Sequence, residues 1–320
     1  MTRFYTYLLK RVVYSAITLV AISMTVFLIT QVLPGNAATS LLGRYATEGS
    51  VTAIEQQLGL NQPIYVQYLD WFTGILTGDW GRSFRYSEPV SELVLPRFVR
   101  SMQLALLTLV LVVIFGIGLG VIAAIKRESL AGMLVSTGTY AAISLPEYVV
   151  ATFLVLLFAG PVFNVLPNTG YVPLHEGVVP WLQHLILPAL SMTFLLMGYA
   201  MRQTRSEMIE VLQSEYIRTA RLKGLSEYRV IISHALRNGL LPTITVIAFN
   251  FGYMLGGIVV VEQVFVFPGL GRIIIASIQN RDLPMIQITI LLVAAVYLFA
   301  NLIADLLYTK LDPRIEYGGD

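Results

Sequence analysis

Few residues in this chain are equipped for chemistry. Its three histidines, His175, His184 and His234, are scattered. His175 precedes Glu176, but no second histidine stands four residues on, so the helical zinc pattern with its general base is missing. Cysteine is absent, which removes disulfides, thiolate metal sites and cysteine nucleophiles together. Neither a G-x-x-x-x-G-K-[ST] phosphate loop nor a G-x-S-x-G nucleophile turn occurs. The carboxylates inside apolar stretches are Glu147, beside Pro146, then Glu262 and Asp305. Proton-coupled transport needs such groups deep in a helix bundle, and one mid-stretch glutamate is a thin basis for it. What remains is a cationic run, RTARLKGL at 218–225, inside a polar segment at 202–238 that carries seven basic and four acidic residues. Its chemistry is recognition: charge pairing with a partner, or attraction to anionic lipid.

The elements that must position this run are apolar. Of 320 residues, 56% are hydrophobic and only 12% charged, about half the charged share of a soluble domain. Bilayer is the natural solvent. The net charge of +2 is too small to argue for nucleic acid. A helical span needs about 20 apolar residues, and six such stretches are read at 12–33, 101–125, 133–159, 181–201, 241–261 and 285–308. The third and fourth contain Pro146 and Pro188; a proline at membrane depth is tolerated only against neighbouring helices or a cavity. The first stretch follows Arg3, Lys10 and Arg11 but is longer than a signal-peptide core, and is read as a retained helix.

Lys and Arg set the orientation. With six spans both termini share a side with Lys126, Arg127, the seven basic residues of 202–238, Lys310 and Arg314. The short loop 160–180 on the other side has no Lys or Arg, and most basic residues there lie in the long loop 34–100. Both termini are therefore expected in the cytoplasm.

The expected domain is single, 1–320. In the external loop 34–100, Thr52 and Glu55 have capping-box spacing and predict a short helix through Leu58 that stops at Gly59. Tyr65, Tyr68, Trp71, Phe72, Trp80 and Phe84 follow, as an interfacial aromatic belt or a docking surface for an external protein. GxxxG spacing at Gly116/Gly120 and Gly252/Gly256 predicts close helix packing. The polar segment reads as a continuation of the fourth helix, then a helix through Tyr216, Ile217, Ala220 and Leu222, a stop at Gly224, and a second helix from near Ser226 with Tyr228, Val230, Ile231, Ile232 and Leu236 apolar.

The segment Glu215-Tyr-Ile-Arg-Thr-Ala-Arg-Leu-Lys-Gly-Leu, followed by His234-Ala-Leu-Arg-Asn238, resembles the EAA loop of ABC importer permeases, in the form taken by the B-type subunit of the dipeptide/oligopeptide branch. Leu33-Pro-Gly35, Leu58-Gly-Leu60, Gly78-Asp-Trp-Gly81, Glu262-Gln-Val-Phe265, Pro268-Gly-Leu-Gly271, Arg281-Asp282 and Asp312-Pro-Arg314 extend the resemblance over nearly the whole chain. The general loop's glutamate, first alanine, isoleucine and terminal proline are missing, and Glu128 stands where an aspartate is expected.

The resemblance implies an all-α integral membrane protein of six transmembrane helices with the type I ABC importer permease fold. It implies a bacterial cell-membrane transport subunit, without catalytic residues, cofactor or metal. Its partners would be a second, C-type permease subunit, two ATP-binding subunits, an extracytoplasmic substrate-binding protein and a peptide substrate. Glu215, Arg218, Thr219, Ala220, Arg221, Lys223, Gly224 and Leu225 would form the coupling helix against the ATPase. Tyr216, Ile217, Ala220 and Leu222 are expected to give it apolar contacts, and Arg218, Arg221 and Lys223 charge pairs. A peptide path must tolerate varied side chains, which makes Ser144, Glu147 and Asn250 the candidates to line it. The alternative is a stand-alone secondary transporter or channel, disfavoured by the large polar segment and the scarcity of intramembrane carboxylates.

Overall fold

A computed structural model describes residues 2–32, 47–57, 59 and 61–311. The motif residues Leu33-Pro-Gly35, Leu58, Leu60 and Asp312-Pro-Arg314, with Arg44, lie outside the described residues. Among the described residues the chain is helical, with one isolated bridge between Arg82 and Pro89. In order the helices are α1 (Thr2–Val32), α2 (Glu48–Gln57), α3 (Ile64–Thr77), α4 (Val90–Ile125), α5 (Leu130–Ser144), α6 (Glu147–Ala159), α7 (Val178–Leu212), α8 (Glu215–Leu222), α9 (Glu227–Gly239), α10 (Leu241–Val264), α11 (Leu270–Gln279) and α12 (Leu283–Leu311).

Four helices are long and apolar enough to cross a membrane, at Thr6–Gln31, Val90–Ile125, Val178–Leu212 and Leu283–Leu306. Two bent pairs bring the number to six: α5 with α6 at 106°, and α9 with the first part of α10 at 52°. The break in the third span has a plain cause. Pro146 disfavours the helical region for the residue before it, and Leu145 sits extended at φ −97°, ψ 122°. A new helix then starts at Glu147. Pro188 is absorbed inside continuous α7 instead, where it is buried. The second span begins at Val90, a full three turns before the stretch expected from hydropathy.

The chain forms two compact units. The larger comprises Met1–Leu8, Met102–Phe267 and Ala300–Asp320. Its axis is α7, with two thirds of the membrane window buried. Leu185, Leu187, Met192 and Ala200 of α7 pack with Leu104 and Val112 of α4, Val150 and Ala151 of α6, and Met254 and Ile258 of α10. Close approach is made at Gly116 and Gly120: added Cβ atoms would fall 2.7 Å from Ala200 Cβ and 2.6 Å from Thr204 Cβ. Thr204 also donates a hydrogen bond to Thr243 at 3.2 Å, both fully buried. Gly118 and Gly256 face open space, whereas both glycines of the first pair sit in the seam.

Gly120→Leu should therefore destabilise the protein by roughly 1–3 kcal/mol through overpacking. Gly118→Leu should change little. Thermal unfolding in detergent checks both, and equal effects would contradict the seam.

The smaller unit comprises Leu9–Ser101 and Pro268–Phe299. Phe27 of α1 is buried with its ring 5.5 Å from Tyr68 and 5.4 Å from Trp71 of α3, and the Ser23 and Tyr68 hydroxyls lie 2.8 Å apart. These rings of the expected aromatic belt thus pack on α1, whereas Tyr65 is exposed. The expected capping box also moves: α2 already begins at Glu48, Thr47 and Ser50 exchange the capping hydrogen bonds, and Thr52 donates back to Glu48 O at 2.9 Å. Gly59, at φ +65°, follows the end of α2 as expected.

The loop between α3 and α4 is pinned by Asp282, almost fully buried at the start of α12. Its carboxylate accepts from Ser83 Oγ at 2.5 Å, Phe84 N at 3.2 Å and Arg85 N at 3.3 Å. A buried charge requires such donors. They tie together the Gly-Asp-Trp-Gly-x-Ser and Arg-Asp motifs that stand two hundred residues apart.

Candidate functional site

The cationic run forms α8 and the turn that ends it. Eight residues are too few to hold a helix alone in water, so α8 depends on its packed face. Ile217 (0% exposed) and Ala220 (8%) turn inward onto Met208, Val230, Ala235 and Ala124. Ala220 is thus an anchor of α8 on its own chain, and so is Ile217. They are not free for the apolar docking contacts expected of them.

Gly224 ends the helix in left-handed conformation, φ +75°. Its N–H donates to Arg221 O at 2.9 Å, and Leu225 N–H donates to Ala220 O at 3.4 Å. These two bonds constitute a Schellman motif, with half-buried Leu225 packed on the same cluster as Ala220. An added Cβ at Gly224 would meet nothing within 4 Å. The glycine is needed for its φ, not for space.

Arg221 was expected to offer charge to a partner. It forks instead onto Glu227 at the start of α9, Nε to Oε1 at 2.8 Å and Nη2 to Oε2 at 3.3 Å. Both side chains are substantially exposed, so the pair, which spans the Gly224 turn between α8 and α9, contributes at most about 1 kcal/mol. Thr219 donates to Glu215 O at 2.9 Å within the helix, and Glu215 lies in its first turn, where the helix dipole favours an acid.

What remains outward is Arg218 and Lys223, exposed and without an ion pair among the described residues, with Leu222 at 81% and Tyr228 at 76% exposure. Tyr228 was read as part of the apolar face of α9. It precedes buried Val230 by two residues, about 200° around the helix, which the periodicity could have shown.

Of the path candidates, Ser144 is exposed and its hydroxyl donates to Tyr140 O at 2.8 Å in its own helix. Glu147 is brought against α10, the helix that carries Asn250. Glu147 opens α6 directly after the break and lines a small recess with Met192 and Leu195 of α7 and Tyr253 and Gly257 of α10. Asn250 lies two turns from Gly257 on α10, its side-chain nitrogen buried without a partner. No group of three or more metal-ligating side chains occurs among the described residues.

Four to six apolar spans and one short amphipathic helix packed on them define a polytopic helical membrane protein. Residues 116–317 match the family described as binding-protein-dependent transport system inner membrane component, and residues 1–105 match its N-terminal model. The chain belongs to this family and is an ABC importer permease subunit. It is 37% identical over 311 residues to the "Probable peptide ABC transporter permease protein y4tP" of Sinorhizobium fredii, covering 97% of this chain and 99% of that one. It is 40% identical to a "Putative peptide transport system permease protein" of Brucella suis, over 97% and 98% of the two chains. The glutathione transport system permease protein GsiC of Salmonella typhimurium is 37% identical, over 97% and 99%. Among solved structures, an amino acid ABC transporter with histidines overlaps at TM-score 0.49 and 15% identity, covering 69% of this chain and 94% of that one.

Proposed function

We propose that this chain is one of two related permease subunits of an importer of short peptides, with a binding protein delivering substrate outside and two ATP-binding subunits attached at α8. Both termini and the α8–Gly224–α9 hairpin face the cytoplasm in this reading, as the distribution of Lys and Arg requires. One observation carries the coupling role. A helix firmly seated through Ile217 and Ala220 presents Arg218, Leu222, Lys223 and Tyr228 outward. A motion imposed on that outward face moves the helix ends of the membrane bundle with it. The names of the relatives, two of peptide systems and one of a glutathione system, support a peptide substrate. No second reading is favoured by any feature of the site.

Co-purification tests it. Tagged permease should retain its ATP-binding subunits, and Arg218→Glu with Lys223→Glu should release them while leaving the permease in the membrane. Retention by the doubly reversed variant would refute α8 as the docking element. In proteoliposomes, import of short peptides should require ATP; import driven by an ion gradient through the purified chain alone would refute the whole reading.

A further inference from the structure

We propose that Glu147 is an intramembrane acceptor for the substrate's cationic nitrogen, first of all the α-ammonium of a peptide. The inference rests on the peptide-permease reading and assigns a residue within it. Three carboxylates fall within the apolar stretches or, for Glu262, just at the end of one. Glu262 is fully buried and, like Asp305, engaged with other groups. Glu147 alone of the three has no hydrogen bond or ion pair among the described residues. An ionisable side chain at membrane depth marks a substrate or ion path by default.

Its surroundings suit an ammonium group. The break at Pro146 places Glu147 in the first turn of α6, where the positive end of the helix dipole favours a negative charge. The recess it lines is otherwise apolar, with Met192 and Leu195 on one wall. Tyr253, 61% exposed, also lines it, and aromatic rings attract organic ammonium ions. Gly257 keeps the approach open, since a Cβ there would lie 3.3 Å from Glu147 Oε1. Asn250 adds a second polar group on the same face of α10, two turns or about 10 Å away along the helix. One carboxylate against apolar walls holds a cation briefly, as a path must, because a tight site would stop conduction.

The test uses the whole transporter in proteoliposomes with its ATP-binding and substrate-binding subunits. A library of di- to pentapeptides is offered, import is read by mass spectrometry, and ATP hydrolysis is measured alongside. The readout is peptide imported per ATP hydrolysed. Glu147→Gln should lower this ratio about tenfold, the loss expected for a charge-assisted hydrogen bond, and Glu147→Asp should recover most of it. A ratio equal to wild type in Glu147→Gln overturns the assignment and leaves the permease reading standing. That holds whether import is unchanged or falls together with hydrolysis; the second case makes Glu147 a structural or subunit contact. Failure of the wild-type transporter to import any library peptide overturns the peptide reading, and this assignment with it.

Discussion

Replacing Ala220 with tryptophan should abolish transport while the permease still inserts in the membrane. Ala220 is 8% exposed and faces Met208, Val230 and Ala235, each fully buried. An indole in that space forces overpacking that costs about 1–3 kcal/mol, and α8 has only eight residues with which to resist it. The helix lifts from its seat, and a displaced helix cannot pass a motion to the bundle. Uptake should fall to background, with the variant present in the membrane fraction at wild-type level. Wild-type uptake would show that the seating of α8 is irrelevant to coupling. Gly224 is a graded comparison. Gly224→Ala meets no atom and bears only the left-handed backbone penalty of about 1 kcal/mol, so it should keep partial activity. Gly224→Val, β-branched, should lose more. The packing makes Ala220 the more sensitive of the two positions.

The second large effect is expected on the opposite face. Leu222 is 81% exposed, a large apolar side chain with no role in the core of the described residues. If it fills a groove in the ATP-binding subunit, Leu222→Asp removes a buried contact and strands a charge there. Changes at such central interface residues cost about 2–4 kcal/mol, or roughly 30- to 1,000-fold in affinity. The same substitution should leave permease stability within about 0.5 kcal/mol, because nothing in the fold packs on it. Titrating labelled ATP-binding subunit against permease in detergent measures the first, and thermal unfolding the second. Tyr228→Ala, 76% exposed on the neighbouring helix, should weaken binding in the same direction. Unchanged affinity in both variants would place the docking surface elsewhere.

The two faces of α8 show how far one-dimensional reasoning reaches. Composition and apolar run length settled the solvent, the helical class and the approximate number of spans, because a bilayer leaves a spanning chain few ways to satisfy its backbone. Gly224 was legible as a helix stop because a Schellman turn demands a residue that tolerates positive φ. Pro146 was legible as a weak point because proline always removes a donor. These are local constraints, written in single residues.

Direction and partnership were not local. That Ile217 and Ala220 point inward while Leu222 points outward depends on where α7 and α9 lie, because all three are apolar and only the packing distinguishes them. Arg221 looked like its neighbours Arg218 and Lys223 until the turn brought Glu227 within reach of its guanidinium. Glu147 looked mid-span until the chain bent by 106° and made it the head of a new helix. Asp282 and Ser83 were separate motifs until folding put a carboxylate on a hydroxyl. By itself the sequence determined which groups the protein has and how stiff each stretch of backbone is. The tertiary structure decided which of those groups are already spent on each other, because burial and pairing are properties of neighbours that are distant in the chain.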